Sequence, residues 1–449
     1  MKNAVRLRGC LSLIVLIGSF AIAGLPAAQP QGPAETGHDV RAPRRGPVRI
    51  EGRAVADNGG AFNALGATLF WGAWGYKFDR ARLERNLSTL AAAGVDYVRV
   101  LGSVGGETWE DREVNPGWND YDSIIAGLTD LAYDRYGLRV QWTIFGGAPF
   151  TTGSRVRESL VDRFARLAEG REQKIFAFEI ANEAWSTGFK GPDGITELRS
   201  LGKRLSNRTA VLVALSAPQG GAACATYAGA GVDVMTIHYP RSFGSEGPLR
   251  PLQRPWSFPS AYHRECPGQL PPVVFNNEPI GPESSVQSDD NPERIGAAYV
   301  MTFVAGNAAY VLHTGPGIRG GGKADLARQP KRHANFHELP SFQSVASSLK
   351  AAKQYLPAGL ANWQRRSARD RRAPIYGSDQ LYSAVEGNNF VVLVLGDGSS
   401  HLRARVDASV DVRQISTGKS LERVRVAAGE RFTPAAPAPV VLIGRAVSQ

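Results

Sequence analysis

The chain has 449 residues, 43% of them hydrophobic and 21% charged, a globular composition on a length that excludes one small core. Two or three domains, or one large α/β barrel with an appendage, fit that length. The formal net charge is +11, but the arginines are scattered apart from Arg365, Arg366, Arg369, Arg371 and Arg372 at a domain junction. No nucleic-acid partner is therefore expected, and solubility or attraction to acidic polysaccharide accounts for the charge.

In chain order, Lys2, Arg6 and Arg8 precede the apolar run LSLIVLIGSFAIAGL, and the small residues Ala27 and Ala28 follow it. This pattern predicts a signal peptide over 1–28, because its apolar run is short for a bilayer span and no second run of that length follows, and hence a secreted or periplasmic protein with no membrane anchor after cleavage. Residues 29–46, rich in Pro, Gly and Arg, read as a disordered lead-in. Then VRIEGRAV alternates, ADNGGAF supplies an Asn-Gly turn and FNALGATLF resumes, which predicts a β-hairpin followed by a strand.

From there short apolar strands alternate with amphipathic helices. The strands are GATLFW, DYVRVLG, RVQWTIF, KIFAFEIAN, AVLVALS, DVMTIHY, PVVFNNE and AYVLHTG. Helices are predicted at DRARLERNLSTLAAAG, YDSIIAGLTDLAYDRYG, SRVRESLVDRFARLAEG, ITELRSLGKRLSN, PERIGAAYVMTFVAG and FQSVASSLKAAKQYL, with irregular links after the fifth and sixth strands. Eight strands with helices between most of them, over 47–372, predict an α/β fold, a (β/α)8 TIM barrel. A doubly wound sheet is the alternative, but no Gly-rich turn follows the first strand as dinucleotide binding would need. Residues 373–449 lose the helical pattern and read as a C-terminal antiparallel β-sandwich.

In a barrel the strand C-termini form the active face. Glu183, in FEIANEAW, ends the fourth strand, and Glu278, in FNNEP, ends the seventh, three βα units later. Two carboxylates facing one mouth match glycoside hydrolysis. The poor leaving oxygen must be protonated as its bond breaks, and the oxocarbenium-like carbon needs a negative or nucleophilic partner opposite. One acid must hold its proton and the other stay ionised. Glu179, four residues before Glu183 on the fourth strand, is expected to be structural and paired with Arg99. Cys224 and Cys266 can form a disulfide in an exported compartment or remain two buried thiols; a bridge would close a loop worth at most about 4 kcal/mol. GIRGGGKA resembles a phosphate loop but ends in Ala324 where Ser or Thr would be needed, and no HExxH, CxxC or EF-hand spacing occurs. No cofactor and no metal are expected.

FEIANEAW resembles the strand-four signature of glycoside hydrolase family 5 and its clan A relatives, and FNNEP resembles the clan's strand-seven segment with its terminal nucleophile. The resemblance covers about residues 47–360. It implies Glu183 as general acid/base, Glu278 as nucleophile, and Asn182 as the partner of a sugar 2-hydroxyl. Arg99 matches the clan arginine beneath the nucleophile, and His238 and Tyr239 match the His and Tyr around the carboxylates. It implies a carbohydrate substrate and a retaining mechanism on O-glycosidic bonds of β configuration; a barrel that binds sugar without cleaving it is the alternative.

Three positions depart from the pattern. Ala184 stands where the motif has Pro. His238 and Tyr239 are adjacent, whereas family members separate them by one residue, so one of the two is expected to face the cleft. His313 stands where members carry a Trp, and is expected to touch substrate. Of Trp71, Trp74, Trp109, Trp118, Trp185 and Trp256, two or three are expected to offer a face to sugar, Trp185 first among them.

Overall fold

The strands Arg139–Phe145 and Ile175–Ala181 are buried at every position. A strand dry on both faces needs cover on both sides, which a parallel sheet wrapped in helices supplies. The computed structural model describes residues 45–447 apart from 148, 220–221, 330–331, 378–379, 397–401 and 435–436 and the side chains of 246, 258–263 and 325. The expected signal peptide, and the expected lead-in up to residue 44, lie outside the described residues.

Eight parallel strands form one sheet: Ala64–Thr68, Tyr97–Leu101, Arg139–Phe145, Ile175–Ala181, Val213–Ala214, Val234–Ile237, Val273–Asn276 and Ala309–Leu312. Their spatial order is five, four, three, two, one, eight, seven, six. The first strand pairs with the eighth, so only the seam between the fifth and sixth lacks a ladder. Side chains close it. Asp233 donates its N–H to the Val213 carbonyl at 3.0 Å and accepts the Val213 N–H on Oδ2 at 2.9 Å. The Tyr227 hydroxyl sits between the two strands, accepting N–H bonds from Ser216 and Thr236, both at 3.1 Å. This is a (β/α)8 barrel.

The helices follow from caps and stripes. Asp79 accepts from the Arg82 N–H to start Arg80–Ala92, and Asn291 accepts from the Arg294 N–H to start Pro292–Val304, whose proline sits where its missing N–H has no partner to lose. Leu160, Val161, Phe164, Ala165 and Ala168 make the buried stripe of Ser154–Ala168. Arg250–Glu265 is also helical, where the sequence predicts an irregular link; Pro251, Pro255 and Pro259 mask it, since a helix interior ordinarily excludes proline. The Cys224–Cys266 disulfide ties the end of this helix to the short helix Ala223–Tyr227.

The N-terminal end of the barrel is closed. Arg49–Glu51, Ala54–Asp57 and Gly60–Phe62 form a small antiparallel sheet, one strand more than the predicted hairpin. Its Val48 and Val55 pack with Tyr97, Phe176, Phe275 and Val311 inside the barrel, where Tyr97 stacks on Phe176 with ring centres 3.7 Å apart. The open end is the one that carries the strand C-termini.

The C-terminal part is a pair of antiparallel sheets. Six strands run in the order Gln364–Ser367, Leu381–Glu386, Asn389–Val394, Val440–Ala446, Ala408–Gln414, Ser420–Val426, and Ile375–Tyr376, Leu402–Ala404 and Arg431–Phe432 form the second sheet. The larger sheet takes its first strand, Gln364–Ser367, from before the boundary that the sequence predicts at residue 372. Alternation along Asn389–Val394 explains how it docks: Phe390, Val392 and Val394 face the small sheet, while Val391 and Leu393 join the barrel's own core. Helix Pro292–Val304 packs on that sheet, and Trp256 meets Tyr382 edge-on at 5.2 Å. All described residues fall in one compact unit, Val40–Gln449, and no described helix is long and apolar enough to cross a membrane.

Candidate active site

Strand geometry brings the distant polar residues together. On the fourth strand Glu179 points inward and is fully buried. Its Oε2 accepts from Arg99 Nη2 at 2.6 Å and from Thr143 Oγ1 at 2.7 Å, and its Oε1 from Asn277 Nδ2 at 3.2 Å. Arg99, also fully buried, uses the rest of its planar fork on the residues above: Nη2 donates to Asn182 Oδ1 at 2.8 Å and Nη1 to Glu278 Oε1 at 3.0 Å. Glu179 is thus the fixed point that orients Arg99, and Arg99 orients two residues of the rim.

Glu278 follows the seventh strand and is 4% exposed. Besides Arg99 it meets Arg241 Nη2 at 3.1 Å, His238 Nδ1 at 3.5 Å and His313 Nε2 at 3.6 Å. Burial alone would raise its carboxyl; the field of His238, His313, Arg241 and Arg99 overcomes that and holds it well below the usual carboxylate range. His313, whose Nδ1 pairs with Thr68 Oγ1 at 2.9 Å, is pushed down to about 3 by burial. It is neutral near pH 7, so the two arginines carry the permanent positive charge beside Glu278.

Because that histidine takes a proton at about pH 6.5 when unfolded and only near 3 when folded, it stabilises the fold above 6.5 and loses that contribution as pH falls toward 3. His313→Gln is expected to flatten the acid side of the stability curve by up to about 1.4 kcal/mol per pH unit in that window. Urea unfolding at pH 4 and pH 7 measures it; equal slopes in both proteins would refute it.

Glu183 sits differently. Its side chain is 29% exposed, and Oε1 meets His238 Nδ1 at 3.2 Å. Its backbone is left-handed, φ 47°, a conformation that disfavours a side chain by about 1–2 kcal/mol. Neighbours hold it there. The Asn182 N–H donates to the Phe145 carbonyl at 2.9 Å, the Ala184 N–H to Ser216 Oγ at 2.8 Å, and the Ser186 N–H to the Glu183 carbonyl at 2.7 Å. One oxygen of Glu183, one of Glu278 and a ring nitrogen of His238 lie within 4.8 Å of one another. Such a trio could face a cation, but Arg99 and Arg241 already neutralise Glu278, and a divalent ion there would sit beside two guanidinium groups.

Other expected residues part company. Tyr239 does not join the cleft: it is buried, and its hydroxyl donates to Asn307 Oδ1 at 2.8 Å. Adjacent side chains leave an extended chain on opposite faces, so with His238 inward Tyr239 turns outward. Trp185 is 41% exposed, two residues past Glu183. Trp71 is sealed, its indole N–H given to the Pro316 carbonyl, and Trp256 lies against the C-terminal sheet. Trp74 and Trp118 are occupied by Arg112 and Lys77, and Trp109 by Arg319 of the GIRGGGKA segment. Only Trp185 among the six keeps an exposed face of that size. Arg241 was missed: it lies three residues past His238 in IHYPR, and only the bend after the sixth strand turns it back to Glu278.

No protein-family model matches the chain, and no curated protein matches it. Among solved structures, a glycoside hydrolase family 5 protein from Bacteroides vulgatus ATCC 8482 aligns over 89% of this chain and 94% of its own, at TM-score 0.67 and 16% identity. The chain shares the fold of that glycoside hydrolase. A family 30 subfamily 8 xylanase from Clostridium acetobutylicum aligns over 86% of this chain and 96% of its own, at TM-score 0.46 and 12% identity. A family 5 mannosidase from Rhizomucor miehei covers 70% of this chain and 100% of its own, at TM-score 0.46 and 14% identity.

Proposed function

We propose that this chain is an exported retaining glycoside hydrolase that cleaves β-linked sugars by double displacement. The observation that carries the reading is the pair Glu183 and Glu278, which reach one cleft from opposite sides of the rim with oxygens within 4.8 Å. Direct attack needs carboxyl groups about 5–5.5 Å apart, whereas an inverting pair leaves room for water at about 6.5 Å or more. The environments divide the roles. Glu278, buried and held ionised, attacks the anomeric carbon, while Glu183, reachable by solvent and bonded to His238, protonates the departing oxygen. Glu183 then takes a proton from the water that releases the sugar, with Glu278 as leaving group. Asn182 spends its Oδ1 on Arg99, which aims its NH2 as a donor for a sugar hydroxyl, and Trp185 offers an aromatic face. The disulfide suits an oxidising compartment, in keeping with export by the N-terminal leader.

Hydrolysis of a panel of aryl β-glycosides and β-glycans tests this. Glu183→Gln is expected to lose about 10²- to 10⁴-fold in kcat/KM on substrates with poor leaving groups, and proton NMR of the first product should show the substrate's anomeric configuration. An inverted first product refutes the retaining route. Binding without release of sugar by the wild type would favour the non-hydrolytic alternative.

A further inference from the structure

The acid/base role assigned to Glu183 requires its carboxyl to be aimed from a backbone conformation that a glutamate does not favour. The peptide between Glu183 and Ala184 is fixed from outside the fourth strand, by the Ser216 hydroxyl at 2.8 Å from the Ala184 nitrogen. Ser216 is 1% exposed and lies just past the short fifth strand. Its own backbone is pinned on both sides by one phenol: the Tyr227 hydroxyl accepts the Ser216 N–H at 3.1 Å and contacts the Ser216 carbonyl at 2.9 Å. Tyr227 also meets the Thr236 N–H and Oγ1 on the sixth strand. It ends the helix that Cys224 fastens to Cys266. Burial pushes the phenol up to about 12, so it stays protonated across the working pH range.

We propose that Ser216 is a positioning residue for Glu183, acting through the Ala184 N–H, with Tyr227 as its support. This rests on the acid/base reading of Glu183 given above. Two features make the contact specific to this chain. The resembled motif has proline after the acid/base residue, and proline has no N–H to give to Ser216. Ala184 supplies that N–H. Its support crosses the one seam of the barrel without a strand ladder, where Tyr227 ties Ser216 past the fifth strand to Thr236 on the sixth and side chains rather than sheet bonds set the geometry. Losing the serine hydroxyl leaves the 183–184 peptide held by its carbonyl alone, through the Ser186 N–H, so that it tilts and swings the carboxyl away from the departing oxygen. Arg99 and Arg241 still hold Glu278, so attack itself is untouched.

The test compares two leaving groups on one sugar that the wild type hydrolyses. A 2,4-dinitrophenyl glycoside leaves without protonation; a phenyl glycoside needs the acid. Ser216→Ala is expected to lose about tenfold or more in kcat/KM on the phenyl glycoside and to stay within about twofold on the dinitrophenyl one, because only the first depends on proton transfer. Ser216→Thr, which keeps the hydroxyl, should restore the phenyl rate. Equal losses on both substrates, or an unchanged phenyl rate, overturn the proposal. If the wild type turns over neither glycoside, the functional reading fails rather than this one. A crystal structure of Ser216→Ala then decides: Glu183 at unchanged φ and still bonded to His238 overturns the positioning role, and a displaced Glu183 supports it.

Discussion

Replacing Glu278 by Gln should remove turnover, by on the order of 10⁴-fold or more, the scale on which loss of a nucleophile is felt when the rest of a site stays intact. The amide is nearly the same size, so Arg99 and Arg241 still pack around it, but it cannot attack. A 2-deoxy-2-fluoro glycoside with a good leaving group should label the wild type once, on the peptide containing Glu278, and leave the variant unlabelled. A label on Glu183, or a variant that keeps measurable activity, would end the assignment. The substitution should also show in acid. The Glu278 carboxyl has a folded pKa far below the unfolded value of about 4.3, so it stabilises the protein above that value and loses the contribution progressively as pH falls from there toward the folded one. The variant should therefore lose less stability than the wild type on acidification below about pH 4.

The second large effect is expected at Arg99. Arg99→Met would leave Glu179 fully buried with only Thr143 and Asn277 as partners and remove one of the two arginines from Glu278. Breaking a buried ion pair from one side destabilises by about 3–5 kcal/mol, because the surviving charge has neither water nor counter-ion. A drop of that size in urea unfolding, with part of it recovered in the double variant Arg99→Met/Glu179→Gln, is the expected pattern. If Arg99→Met unfolds at the wild-type denaturant concentration, the network does not hold the rim.

The barrel, and the placement of Glu183 and Glu278 at its mouth, were readable because a parallel strand buried on both faces leaves its tip as the place where a carboxylate can face the open end, and both residues follow such strands. The Arg99–Glu179 pair was readable from the same alternation, since both point inward on neighbouring parts of the wall. What escaped lies beyond the strand ends. Arg241 reaches Glu278 through a bend with no repeating period, and Tyr227 joins Ser216 to Thr236 across a seam that no strand pattern announces. Tyr239 went the other way: one step along an extended chain turned it from the cleft to Asn307. The tryptophans were spread between helix faces and the C-terminal sheet by packing that spacing alone does not encode.

Helix Pro292–Val304 is buried at every position from Ile295 to Val304, lying between the barrel wall and the six-stranded sheet. A helix apolar on all sides has no face it can show to water. A barrel severed before Gln364 would bare that surface along its flank, a contiguous greasy patch of the kind that drives aggregation. The C-terminal sheet therefore acts as part of the barrel's own hydrophobic core, and the two parts are expected to stay soluble only when expressed together.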